Sequence, residues 1–195
     1  MARKVSLHLY VTLDGYVDFP TYPGSDHPFP DEPEFLAEEM WVKRWGSIDS
    51  LLFDPLTYDQ WADFWPMSKR TPGEHPWIRQ MSEFAERARK VVLSGRPGDT
   101  TWANTRVLEG EVAPAMRQLQ SQAGGDLAVV APGLGLELMR HGLINEFYLA
   151  VFPVILGKGQ QFFGPLENRQ TLRLAEVKSF RFGELFLHYQ LVRPA

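Results

Sequence analysis

"GGDLAVVAPGLGLELMRHGLINEFYLAVFPVILG", residues 124–157, decides how the rest of the chain is read. An apolar run at Leu127 to Val130 meets a Pro-Gly turn, and a helical stretch follows that stops near His141-Gly142. A second apolar run begins at Phe147. Strand, turn, helix, stop and strand make one βαβ unit, whose strands lie parallel because the helix carries the chain back along the sheet. Both runs are nearly continuous in apolar residues, the pattern of strands covered on both faces.

The same alternation extends toward the N-terminus. "VSLHLYVTLDGYV" (5–17) reads as a strand closed by Asp14-Gly15, "SLLF" (50–53) as a buried strand and "KVVLS" (90–94) as another. Helices are predicted over 34–48, 55–65, 77–89 and 111–122, the last with Pro114 tolerated in its first turn. Asp54 reads as the N-cap of the second of these and Pro55 as its first helical residue. A short extra strand fits "TRVL". At the other end "TLRLAEVKSF" (171–180) and "GELFLHYQLV" (183–192) alternate with period two and predict a hairpin. The expected fold class is α/β, with a mostly parallel sheet and a C-terminal antiparallel edge. With no repeat and no compositional break, residues 1–195 read as one domain. Residues 18–33, with five prolines, read as a long loop and a candidate lid.

Composition narrows the function classes. Of 195 residues, 44% are hydrophobic and 23% charged, the balance of a soluble globular chain. Net charge is -4 without a dense basic cluster, which argues against a nucleic-acid partner. The absence of cysteine excludes disulfides, thiolate zinc sites and a cysteine nucleophile. The five histidines show no ligand spacing, so no metal site is expected. No run reaches the ~20 apolar residues of a membrane span, and the N-terminus lacks the form of a signal peptide, so a cytoplasmic location is expected. A serine-hydrolase elbow and a phosphate-binding Walker sequence are both missing.

Three stretches could still carry chemistry. Gly133 and Gly135, at a strand-to-helix turn, either let backbone approach a ligand or serve tight packing. "FPVILGKGQQFFG" (152–164) is a glycine-rich bend with Lys158 at its tip. Asp14 either relays a proton or is only a turn residue. A row of tryptophans offers a weaker alternative, a flavin-sized or apolar ligand between Trp41, Trp65 and the lid.

"VTLDGYV", "LLFDPLTYDQWADFWP", "KVVLSGR", "GGDLAVVAPG" and "GLINEFYLAVFPVILGKGQQFF" stand in the order and spacing of the dihydrofolate-reductase-like superfamily. Most closely they resemble the reductase domain of the bifunctional riboflavin-biosynthesis deaminase–reductase, in its stand-alone bacterial form. The resemblance implies a three-layer α/β/α fold, NADPH as hydride donor, a homodimer, and a small substrate that is heteroaromatic (pterin- or pyrimidine-like) or a carbonyl compound. By position it places Thr12, Asp14 and Gly15 beside the nicotinamide and substrate, with Asp14 the candidate catalytic residue. Thr57 would face the cofactor phosphates, Ser94 and Arg96 the adenosine 2′-phosphate, and Ala131, Pro132, Gly133 and Leu134 would form the pyrophosphate loop.

Two departures bear on that assignment. The family's Gly-Arg-x-Thr turn reads Asp54-Pro55-Leu56-Thr57 here, and its Gly-Ser-Gly loop reads Ala131-Pro132-Gly133. A carboxylate that caps the helix uses N–H groups that would bind an anion, and proline has none to give. The expectation is a weakened phosphate site; the alternative is a non-catalytic ligand-binding or dimeric scaffold protein. The sequence has no deaminase half, and Val130 stands where the pathway enzyme places a substrate-contacting acid, so a direct riboflavin-pathway role is not expected.

Overall fold

Among the described residues, eight strands form one sheet in the order β4-β3-β2-β5-β1-β6-β8-β7. The computed structural model describes residues 2–17, 39–93, 95–98, 100–164, 166, 169–181 and 183–192. The strands are β1 (Val5–Thr12), β2 (Ile48–Phe53), β3 (Arg89–Val92), β4 (Thr105–Val107), β5 (Asp126–Val129), β6 (Glu146–Phe152), β7 (Thr171–Ser179) and β8 (Leu185–Val192). Pairing is parallel from β4 through β6, then antiparallel for β6–β8 and β8–β7. The expected mostly parallel sheet with a terminal antiparallel hairpin is therefore present.

Among the described residues, four helices cover the two faces: α1 (Pro55–Phe64), α2 (Pro76–Arg87), α3 (Val112–Ser121) and α4 (Pro132–Arg140). Strand side chains alternate between the faces, and each set meets its own helices. Leu7, Leu9, Leu127, Val129, Phe147 and Leu149 pack with Met116 and Leu119 of α3 and Leu134 and Leu138 of α4. Leu51, Phe53, Ala128, Ala150 and Phe152 pack with Tyr58 of α1 and Met81, Phe84 and Ala85 of α2. The result is the three-layer α/β/α arrangement.

The predicted helix over 34–48 needs correction. Residues 34–38 lie outside the described residues, and of the rest only Glu39 and Met40 are α-helical. A 3₁₀ turn at Val42–Arg44 follows, and Ile48 already belongs to β2. Buried Trp41 is stacked on His8 at 4.4 Å, so the chain has few residues in which to reach β2. It turns by i→i+3 bonds, Arg44 N to Trp41 O and Ser47 N to Arg44 O. The predicted lid at 18–33 lies outside the described residues. Among those described, no helix is long and apolar enough to cross a membrane.

Candidate functional site

The carboxyl ends of the parallel strands form one rim, and the connections leaving it diverge. From β2 the chain passes through α1 and α2 on one face; from β5 it passes through α4 on the other. β2 and β5 are neighbours, so the crevice between their ends is a topological switch point, where open α/β sheets bind ligands.

The N-termini of α1 and α4 meet at that crevice, and Asp54 stands in it. Its Oδ1 accepts from Thr57 N at 2.8 Å, the capping bond expected from the sequence, with Pro55 in the first turn. Its Oδ2 lies 3.1 Å from where a Cβ on Gly133 would stand. Only glycine lets the carboxylate rest against α4 without a shift. The cap residue of α4, Ala131, has no side chain to offer the helix's first amides. Gly135, one turn further in, has a different role: a Cβ there would lie 2.5 Å from Leu7 Cδ1, so it sets the contact between α4 and β1.

The end of β3 closes over the same place. Ser94 lies outside the described residues, but a Cβ on Gly95 (φ +136°) would meet Pro55 Cγ at 3.3 Å. Arg96 is turned outward and paired with Glu109, both side chains well exposed. Leu56, in the first turn of α1, is 70% exposed and presents a bare apolar surface beside the crevice.

Thr12, Asp14 and Gly15 form a second cluster. β1 runs five residues past Leu7, its last partner on β5, so Thr12 projects ~16 Å beyond Val129. Together with β6 it makes a wall above the crevice floor. Gly15 takes φ +85°, the left-handed turn the Asp-Gly pair predicts. Asp14 Oδ1 accepts from the Thr12 hydroxyl at 2.6 Å and Leu156 N at 3.1 Å, and Oδ2 from Gly157 N at 2.8 Å. The Thr12 bond first, then the two backbone amides, holds its carboxyl below the usual carboxylate range. Asp14 is thus an ionised clasp joining the end of β1 to the loop after β6. Beside it lies a groove of about 640 Å³, lined by Thr12, Asp14, Gly15, Gln161, Phe163 and Gln170 over an apolar floor that includes Leu149 and Leu187.

On the opposite face the tryptophans form a continuous row. Trp41 Nε1 donates to Tyr10 Oη at 3.3 Å, and Trp61 stands 6.1 Å from Trp41 and 5.6 Å from Trp65. Trp41 and Trp65 are therefore joined through Trp61, not set across an open slot. Sequence reading passed over Trp61 and Tyr10, although the helical spacing of Trp61 and Trp65 was a usable signal.

Thr57, Gly133 and the intruding Asp54 are thus brought together at the crevice, and Thr12, Asp14 and Gly15 at the wall; Arg96 faces away from both. Elsewhere, titratable groups that resemble a site are held structurally. His8 is fully buried, with Nδ1 3.1 Å from Met40 O and Nε2 3.0 Å from Ser6 Oγ. Burial first, then Arg44, pushes it down to about 3, so it is neutral. Glu146 is held far below the usual range by His188, Tyr148 and Lys4. A groove of about 650 Å³ outside α1 contains Asp59, Asp63 and Glu86, but these carboxylates accept from Gly98 N, Lys69 and Trp102 Nε1. Among the described residues no cluster could hold a metal ion.

Three comparisons relate the chain to known proteins. The family model of the RibD C-terminal domain matches residues 64–187. YyaP of Bacillus subtilis (strain 168) is 23% identical over 192 residues, covering 96% of this chain and 94% of that protein. Among solved structures, a pyrimidine reductase-like protein from Corynebacterium diphtheriae superposes with a TM-score of 0.64 at 13% identity, covering 99% of this chain and 93% of that one. Acinetobacter baumannii RibD superposes with a TM-score of 0.63 at 16% identity, over 98% of this chain and 58% of that one. At such identities the structural likeness speaks for the fold alone.

Proposed function

The chain belongs to the RibD C-terminal domain family, and from that premise we propose that it is a small-molecule reductase using a nicotinamide cofactor, NADPH, as hydride donor. Its substrate is a small heteroaromatic, pyrimidine-like or pterin-like compound, or a carbonyl compound. The observation that carries this reading is the β1–β6 wall. Thr12, Asp14 and Gly15 are fixed by the loop after β6 and border an open groove at the strand ends. The bound cofactor would supply the hydride. The protein's part is to orient two rings in contact and exclude water, which calls for no protein nucleophile. Asp14, with its carboxylate held ionised, positions the wall and accepts hydrogen bonds.

The residues fit the cofactor unevenly. The wall and groove suit a ring. The crevice does not suit a diphosphate: Asp54 is in it, Pro55 has no N–H, Thr57 N is already used and Arg96 is paired with an acid. This favours the second reading, a ligand-binding or dimeric scaffold protein without redox activity. We read residues 1–195 as one domain, cytoplasmic and homodimeric in either case. Thermal denaturation with NADPH and NADH at millimolar concentration, followed by a screen for substrate-dependent loss of nicotinamide absorbance, tests the choice. A rise in Tm with turnover supports the reductase; no shift with either nucleotide removes it.

A further inference from the structure

We propose that Asp54 is the built-in anion of its own crevice, a single carboxylate between two helix N-termini that sets how weakly this chain binds phosphate-bearing cofactors. The inference rests on reading the strand-end rim as the ligand site.

Three observations on different elements meet there. The crevice lies at the β2/β5 switch point, where α1 and α4 both direct the positive ends of their dipoles. Asp54 caps one helix and lies against the other, with one oxygen bonded to Thr57 N and the other packed beside Gly133. The surroundings are completed with apolar groups: Pro55 lies under Gly95, and Leu56 is exposed in the first turn of α1. A phosphate entering this space meets a fixed negative charge about one van der Waals contact away, Pro55 and Pro132 have no N–H to give it, and the Thr57 amide is taken. The ligand that the native crevice accepts therefore presents a neutral group or a hydrogen-bond donor, such as a hydroxyl or amide, and carries any phosphate elsewhere.

The test measures binding of inorganic pyrophosphate and, separately, NADPH to the full chain and to Asp54→Asn and Asp54→Gly, by calorimetry at fixed ionic strength. Asparagine keeps an oxygen for Thr57 N and removes the charge; glycine removes both and opens the space. Pyrophosphate is expected to bind each variant at least tenfold more tightly than the native chain. If the glycine variant does not fold, the asparagine variant decides alone. Equal or tighter pyrophosphate binding by the native chain overturns the proposal. Tighter pyrophosphate binding by the variants with no NADPH binding by any of the three leaves Asp54's role standing and removes the dinucleotide reading.

Discussion

His8 shows how a residue can carry a charge-bearing side chain and yet be part of the core. It is buried in β1 between the Trp41 and Tyr148 rings, and both ring nitrogens have partners. Its folded pKa, about 3, lies below the ordinary 6.5, so the unfolded chain binds a proton in that window and the folded chain does not. The stability His8 supports is full above pH 6.5 and is lost as pH falls toward 3, at up to about 1.4 kcal/mol per pH unit. Urea titrations across this range should show a flatter profile for His8→Phe than for the native chain; equal slopes would mean that His8 is charged in the fold. From the sequence, His8 was legible as a strand residue with Ser6 two positions away, but Met40, Trp41 and Tyr148, 32 residues and more away, were not. Asp54 was more legible, because its bond to Thr57 spans three residues and follows a local capping rule. Asp14 was legible as a turn residue or a candidate proton relay beside Thr12, but not as a clasp: its partners Leu156 and Gly157 lie more than 140 residues further on.

At the scale of elements, the two glycines of the α4 turn part company. Gly135 faces fully buried Leu7, and an added methyl would overlap its side chain. Gly135→Ala should cost about 1–3 kcal/mol through overpacking, outweighing the up to ~1 kcal/mol that alanine gains in helix propensity. Chemical denaturation measures it, and a more stable variant would show that α4 is free to move off β1. The C-terminus of α2 depends on a lysine instead of a glycine. Buried Lys90 donates from Nζ to Ala85 O at 2.8 Å and Glu86 O at 3.2 Å, over the ring of Trp102. Burial lowers its pKa to about 8. Lys90→Met keeps the stem but removes the donor to Ala85 O, while Glu86 O keeps its bond from Asn104 Nδ2, and should destabilise by roughly 1–3 kcal/mol in the same assay. An unchanged midpoint would mean that Ala85 O finds another donor. The predicted 34–48 helix holds at Glu39 and Met40 and gives way from Trp41 onward to a 3₁₀ turn, where Trp41 makes a stacking contact with His8 that periodicity does not show.

At the scale of the whole molecule, the C-terminal hairpin carries exposed apolar surface on one side. A register shift between Leu174 and Glu176 brings Leu172, Leu174 and Val177 onto one side with Leu191, Tyr189 and Leu187. Leu174 and Val177 remain 47% and 53% exposed, and Leu13, Ile155 and Phe163 add exposed apolar surface at the ends of β1 and β6. Self-association through this face is the homodimer of the proposed reading. Sedimentation at micromolar concentration should give a dimer for the native chain and a monomer for Leu174→Lys/Val177→Lys; a native monomer would remove the homodimer. The sequence alone determined the succession of strands and helices, the parallel sense of most of the sheet and the cap at Asp54. Periodicity and capping act over a few residues and are written in neighbouring side chains. Only the tertiary structure decided that β5 inserts between β2 and β1, and hence that Asp54 meets Gly133 across a crevice. Strand order follows from which buried faces pack best over the whole chain, and no local pattern encodes it.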